Sequence, residues 1–218
     1  MPDLDFRIEG AEVHHYAATP SLLFKLRLDN RGDDELRSIM LSTQIRIVPR
    51  HRAYLPGEEQ KLRELFGETE RWGSTLNSLL WTHVTTQVPA FEGSTVVDLS
   101  VPCTYDFDVV SAKYFNALEE GDLPLEFLFS GSMFYQSPVG LQVTQIPWEK
   151  EASYRLPVKL WQEMMEHFFP NSAWLRLRKD AFDRLYDYRM RHGLTTWEAA
   201  LESLLDCADR EVESPWIP

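Results

Sequence analysis

Apolar and polar side chains alternate residue by residue in several segments of the first 155 positions. A period of two is the mark of a half-buried strand, because successive side chains of a strand leave on opposite faces. In SLLFKLRLDN, Phe24, Leu26 and Leu28 take one face and Lys25, Arg27 and Asp29 the other. LDFRIEGAEVHH and IMLSTQIRIVPRH repeat the pattern, the latter until Pro49, which has no N–H to give a ladder. The three read as an antiparallel meander, with NRGDDE as a turn. LLWTHVTTQVP, STVVDLSVP, PLEFLFSGSMFY, GLQVTQIP and SYRLP follow, each bounded by Gly, Pro or Ser. About seven or eight such strands predict an antiparallel sandwich-like body, with a closed barrel as the alternative. Two short helices are inserted in it. One is PGEEQKLRELFG, with Pro56 near its start, Leu62, Leu65 and Phe66 on one face and Gly67 past its end. The other is DVVSAKYFNALEEG, whose inner face is Val110, Tyr114, Ala117 and Leu118.

At Leu156 the period changes. Pro157 stands where a first helical residue should, and Leu160, Trp161, Met164, Met165 and Phe168 form an apolar stripe that Pro170 ends. Trp174 to Arg178 alternate like a short strand; Phe182, Leu185 and Tyr186 then take helical spacing as far as Gly193. Thr195 and Glu198 have the spacing of a capping box before a last stripe of Trp197, Ala200, Leu201, Leu204 and Leu205. The class is therefore α+β: a β-sandwich-like body over residues 1–155, a helical C-terminal section over 156–208 packed on it, and a flexible tail over 209–218.

The chain has 218 residues, 44% of them apolar, and a formal net charge of -12. That acidity argues against whole-surface attraction to nucleic acid or anionic membranes. MPDLDFRIEG lacks the apolar core of a signal peptide, and no apolar run has the length of a membrane span, so a cytoplasmic protein is expected. Cys103 and Cys207 have the spacing of neither a disulfide framework nor a zinc site.

The candidates for chemistry each have a plain structural reading. Asp106 and Asp108 share a face if TYDFD is extended, as an acid-base pair requires, but Asp108 also stands where the next helix needs its cap. Cys103 has the apolar and aromatic neighbours of a buried thiol. His14 and His15 are adjacent on a strand and so point apart, and His51, His83, His167 and His192 lack ligand spacing. FLFSGSMF is not a nucleophile elbow, and no phosphate-cradling glycine loop occurs. No catalytic residue, metal ligand or cofactor is expected.

The strongest polar asymmetry is local: Ser172 to Gly193 holds six Arg/Lys and three Asp within an acidic chain. An alternating strand followed by two helices, WLRLRKDAFDRLYDYRMRHGLTTWEAALESLL, is similar to a ribbon-helix-helix DNA-binding module across residues 174–205. On that reading Arg176 and Arg178 face bases. Against it, Glu163, Glu166 and Pro170 precede the strand where such modules carry a basic arm. The plain reading of the stretch is a solvated, salt-bridged face; if it docks to a protein, Arg176, Arg178, Arg184 and Arg189 are the candidate contacts, with Trp216, in the tail DREVESPWIP, as a separate anchor. An enzyme with a site around Asp106 and Asp108 is the other alternative.

LRSIMLSTQIRIVPRHRAY, LLWTHVTTQVPAF, VPCTYDFDVVSAKYFNAL, PLEFLFSGSMFY, VTQIPWEKEASYRLPVKLW and AWLRLRKDAFDRLY together resemble an uncharacterised bacterial family across essentially the full chain. The resemblance implies a gene setting beside uptake nickel-iron hydrogenases and brings no assigned activity and no site residues. An acidic sandwich with an amphipathic helical end and no catalytic signature suits a non-enzymatic accessory or interaction protein in that setting, with hydrogenase subunits or maturation factors as expected partners.

Overall fold

The computed structural model describes residues 2–104, 106, 109–172 and 176–213, with side chains as far as 210. In chain order the elements are β1 (Leu4–Val13), β2 (Ser21–Asn30), β3 (Glu35–Ile47), α1 (Pro56–Phe66), α2 (Trp72–Thr75), β4 (Leu79–Phe91), β5 (Ser94–Pro102), α3 (Val110–Ala117), β6 (Asp122–Ser137), β7 (Gly140–Gln145), β8 (Glu151–Pro157), α4 (Val158–Phe168), α5 (Lys179–Arg191) and α6 (Trp197–Glu213). All strand pairs are antiparallel. One sheet has the order β1-β2-β5; in the other, β4-β3-β6 continues to β7, and β8 also pairs with β6. Two short strands thus share one edge of the long β6, β8 along 122–128 and β7 along 132–137.

The alternation of the sequence becomes a two-layer core. Leu22, Phe24, Leu26 and Leu28 of β2 are fully buried, as are Ile39, Leu41, Ile45 and Ile47 of β3. Rings bridge the layers: Phe6 stacks on Phe129 with centroids 4.3 Å apart, and Phe24 meets Phe127 edge-on at 5.2 Å. Each such side chain removed from water contributes about 1.5–3 kcal/mol. That term favours two closed faces over one open sheet.

The first three strands do not form the expected meander. β2 pairs β1 and β5, whereas β3 pairs β4 and β6, so the chain changes layer between Asn30 and Glu35. Asn30 organises this corner: its Oδ1 accepts from the N–H groups of Asp3 and Gly32, and its Nδ2 donates to the Asp34 carbonyl. A turn sequence specifies reversal of direction, and the layer that the next strand joins is set by which faces remain to be covered.

Smaller differences have local causes. Val110 is half exposed at the start of α3, and the inner face is Ser111, Ala112, Tyr114, Phe115 and Ala117, with Leu118 just beyond. Pro157 ends β8 and caps α4 instead of beginning it. The last helix is capped by Thr196, one residue beyond the expected position, its Oγ1 accepting from the Ala199 N–H at 3.1 Å. The residues 176–178 have no regular secondary structure; Trp174 and Leu175, the start of the expected strand, lie outside the described residues, as does Asp108.

Two compact units result, Met1–Trp174 and Leu175–Pro218. The helix α4 belongs to the first, because Trp161 stacks on Phe115 of α3, ring centroids 4.1 Å apart and planes 11° from parallel. Val158, Met164 and Met165 are buried with it.

Candidate functional site

In the second unit, α5 and α6 form a hairpin. α5 stops in a Schellman turn: the N–H of Leu194 reaches the Arg189 carbonyl and that of Gly193 the Met190 carbonyl, with Gly193 at φ +63, a conformation that costs glycine nothing. The inner side of the hairpin is aromatic. Phe182 and Tyr186 lie 5.2 and 6.2 Å from Trp197, and the Tyr188 hydroxyl shares a 2.8 Å hydrogen bond with that of Ser203.

The four candidate arginines have different surroundings. The Arg189 guanidinium lies over Trp197 at 4.1 Å and near Tyr186 at 5.4 Å, a cation–π tie between the helices. Arg184 borders a groove of about 420 Å3 lined by Leu177, Ala181, Leu185, Leu201 and Leu204. Arg176 and Arg178 are exposed ahead of α5, Arg178 paired with Asp180 at 3.2 Å. Trp216 lies outside the described residues. No residue of α5 is buried, and Met190, Leu201 and Leu205 are 59%, 40% and 63% exposed.

The first unit holds a polar cluster that the sequence reading missed. The side chains of Arg52 and Glu58 are 6% and 0% exposed, with Nη2 2.5 Å from Oε1. Arg52 also donates to the carbonyls of Glu120 and Asp122, and Glu58 accepts from the backbone N–H groups of Leu55 and Glu119. Burial disfavours the Glu58 charge; the N–H groups of Glu119 and Leu55 together with Arg52 outweigh it and hold the carboxyl below the usual glutamate range. Next to it, the Tyr54 hydroxyl donates to the Pro49 carbonyl and shares a 2.6 Å hydrogen bond with Tyr114. Burial raises both phenols. These bonds join the β3–α1 connection to the α3–β6 turn. With Nη1 and Nη2 directed at a carboxylate and carbonyls of its own chain, Arg52 ties these segments of the fold together.

Cys103 is buried and its Sγ donates to the Val101 carbonyl at 3.4 Å; burial pushes its thiol far above the ordinary range, the reverse of what a nucleophile needs. Cys207 is exposed. A thiol reagent added to the native protein should therefore modify one cysteine per chain, mapped to Cys207 by peptide mass, and the second only on unfolding; rapid native labelling of Cys103 would contradict this placement. Near Asp106, the backbone carbonyl accepts from the Val109 N–H and its own N–H reaches Thr104 Oγ1. His15 and His167 meet edge-on at 4.9 Å although 152 positions apart, a juxtaposition that no sequence spacing announces. Among the described residues no three His, Cys, Asp or Glu side chains are grouped to hold a metal ion, and no helix is long and apolar enough to cross a membrane.

Among solved structures, the chain is similar to the CARDB domain of the PF1109 protein from Pyrococcus furiosus, determined in complex with di-metal ions. Identity is 10%, the match covers 72% of this chain and 92% of that one, and the TM-score is 0.28, a likeness too loose to carry a functional inference. No curated protein matches the chain. A family model does match, across residues 1–213, and by it the chain belongs to the family of unknown function DUF6084.

Proposed function

We propose that this protein is a non-enzymatic accessory protein that docks another protein through the segment leading into α5, and that its setting is the assembly or operation of an uptake nickel-iron hydrogenase. The observation that carries the docking reading is the exposed pair Arg176 and Arg178 ahead of a helix hairpin whose apolar residues are also exposed, in a chain of net charge -12. A local basic site on an acidic protein selects an acidic patch and repels most other approaches of a like-charged partner, which is how charge gives register and specificity. The hydrogenase setting rests on the family resemblance of the sequence. Maturation of such enzymes employs proteins that hold incomplete subunits by surface contact.

The test is capture of hydrogenase subunits and maturation factors by the tagged protein in its own host, grown so that hydrogenase is made. The Arg176→Glu/Arg178→Glu double variant should reduce recovery about tenfold or more while leaving the fold intact by circular dichroism. Equal recovery with the variant would remove these arginines from the contact. Absence of every hydrogenase component from the captured material would remove the setting.

A further inference from the structure

We propose that the hairpin of α5 and α6 is a self-association surface, and that a second copy of this chain covers its apolar face. This goes beyond the docking reading; its charge pattern shares Arg176 and Arg178 with that reading, but the groove does not depend on them, and the variants that test it, at Leu201, Leu205 and Arg184, leave that pair unchanged.

Three observations support a second copy. The unit Leu175–Pro218 is far below the size at which one hydrophobic core suffices, and among its described residues Ala200 alone is buried and apolar. Leu177, Leu201, Leu204, Leu205 and Met190 are exposed, and the groove beside Leu185 has the form that an apolar helix edge fills.

The charge pattern is self-complementary. α5 and the two residues before it that carry charge hold six bases against three acids, while residues 197–210 of α6 hold Glu198, Glu202, Asp206 and Asp209 against Arg210 alone. A two-fold axis brings the same patch of each copy together, so that α5 of one faces α6 of the other twice. An acidic partner would be attracted by α5 and repelled by α6, and a basic partner the reverse. A second copy satisfies both. Arg184 and Arg191, at the groove's edge, are then placed against the acids of the partner's α6.

The natural cysteines supply the probe. Cys207 lies on α6 three residues after Leu204 and is exposed, while Cys103 is buried, so a thiol spin label reports from one site per chain. Sedimentation of the full chain at micromolar concentration should give twice the 25.4 kDa monomer mass, and double electron–electron resonance should show a defined distance between the two labels. Leu201→Asp/Leu205→Asp should weaken association about 100-fold or more and abolish the distance. Because that variant can also unwind the hairpin, Arg184→Glu is the second: it keeps the apolar face and should weaken association about tenfold. A monomeric native chain without dipolar signal overturns the proposal and leaves the chain's own first unit or a foreign partner as the cover. Association that persists unchanged in Arg184→Glu also overturns it, whether or not the leucine variant folds.

Discussion

Replacing Arg52 by Met should lower the unfolding free energy by about 3–5 kcal/mol, the cost of leaving a buried carboxylate without its cation. For a protein of this size that is a fall in Tm of roughly 6–20 °C. The expectation rests on the exposure of the pair, 6% and 0%, since the same two residues on the surface would contribute about 1 kcal/mol or less. Arg52→Met/Glu58→Leu should recover only part of the loss. It removes the stranded charge but leaves the N–H groups of Leu55 and Glu119 without the carboxylate they now share. The coupling energy of the double-mutant cycle isolates the ion pair from those bonds. A loss below about 1 kcal/mol for Arg52→Met would show that water reaches the pair.

The same cluster has a signature in pH. The Glu58 carboxyl is held below its unfolded value, so its contribution is present above the usual glutamate range, near 4.3, and is lost as pH falls through the folded value. Wild-type stability should decline on acidification in that window, and the decline should be smaller in Glu58→Gln, whose side chain has no proton to take up. Chemical denaturation at a series of pH values between neutrality and acid measures both slopes.

What the sequence made legible was decided by how local the causing physics is. The strands were readable because the period of two is a property of consecutive residues, and β3 and β5 fall where Ile45 and Leu99 alternate with polar neighbours. The partition into a three-stranded and a five-stranded sheet was not, because NRGDDE turns the chain without stating which layer receives Glu35. Arg52 and Glu58 read as ordinary surface charges in RHRAYLPGEEQ. One signal was available: Pro56 opens the helix and Glu58 occupies its third position, where a carboxylate reaches back to the backbone before the helix, as it does to the Leu55 N–H at 3.0 Å. Arg52 stands only six residues before Glu58; what no window contains is the α3–β6 turn that joins them, reached by the bond from the Glu119 N–H to Glu58 across 61 residues.

The helical end was legible in its stripes, and in α4 Trp161, Met164 and Met165 are buried as their spacing expects. An apolar stripe states that something must cover it and leaves open what does. Arg189 illustrates the limit, for it reads as a free cation near a helix end, and only the turn at Gly193 brings Trp197 beneath its guanidinium. Arg176 and Arg178 are exposed ahead of α5, Arg178 beside Asp180.

Gly131→Ala should cost about 4 kcal/mol or more, or prevent soluble expression, although it adds one methyl group. Gly131 pairs with Leu41 in the middle of the β3–β6 ladder at φ +134, and a Cβ built there would lie 1.9 Å from the Met40 carbonyl oxygen. That neighbour is backbone and cannot rotate away, so the ladder itself must open. The position explains the conformation. Gly131 sits between the part of β6 that pairs β8 and the part that pairs β7, and its carbonyl accepts the Ile146 N–H at 2.9 Å just where β7 ends. A strand that changes partner along one edge while keeping β3 on the other must bend locally, and a residue without Cβ lets β3 stay close through the bend. Ser132→Ala, one position on, should change stability by less than about 1 kcal/mol, which separates the backbone effect from any general sensitivity of β6. If denaturant midpoints show Gly131→Ala to be as mild as Ser132→Ala, β3 and β6 are not in the close approach described, and the shared edge needs another explanation. If they differ as expected, the glycine in FLFSGSMF owes its place to the joining of two short strands on one long one.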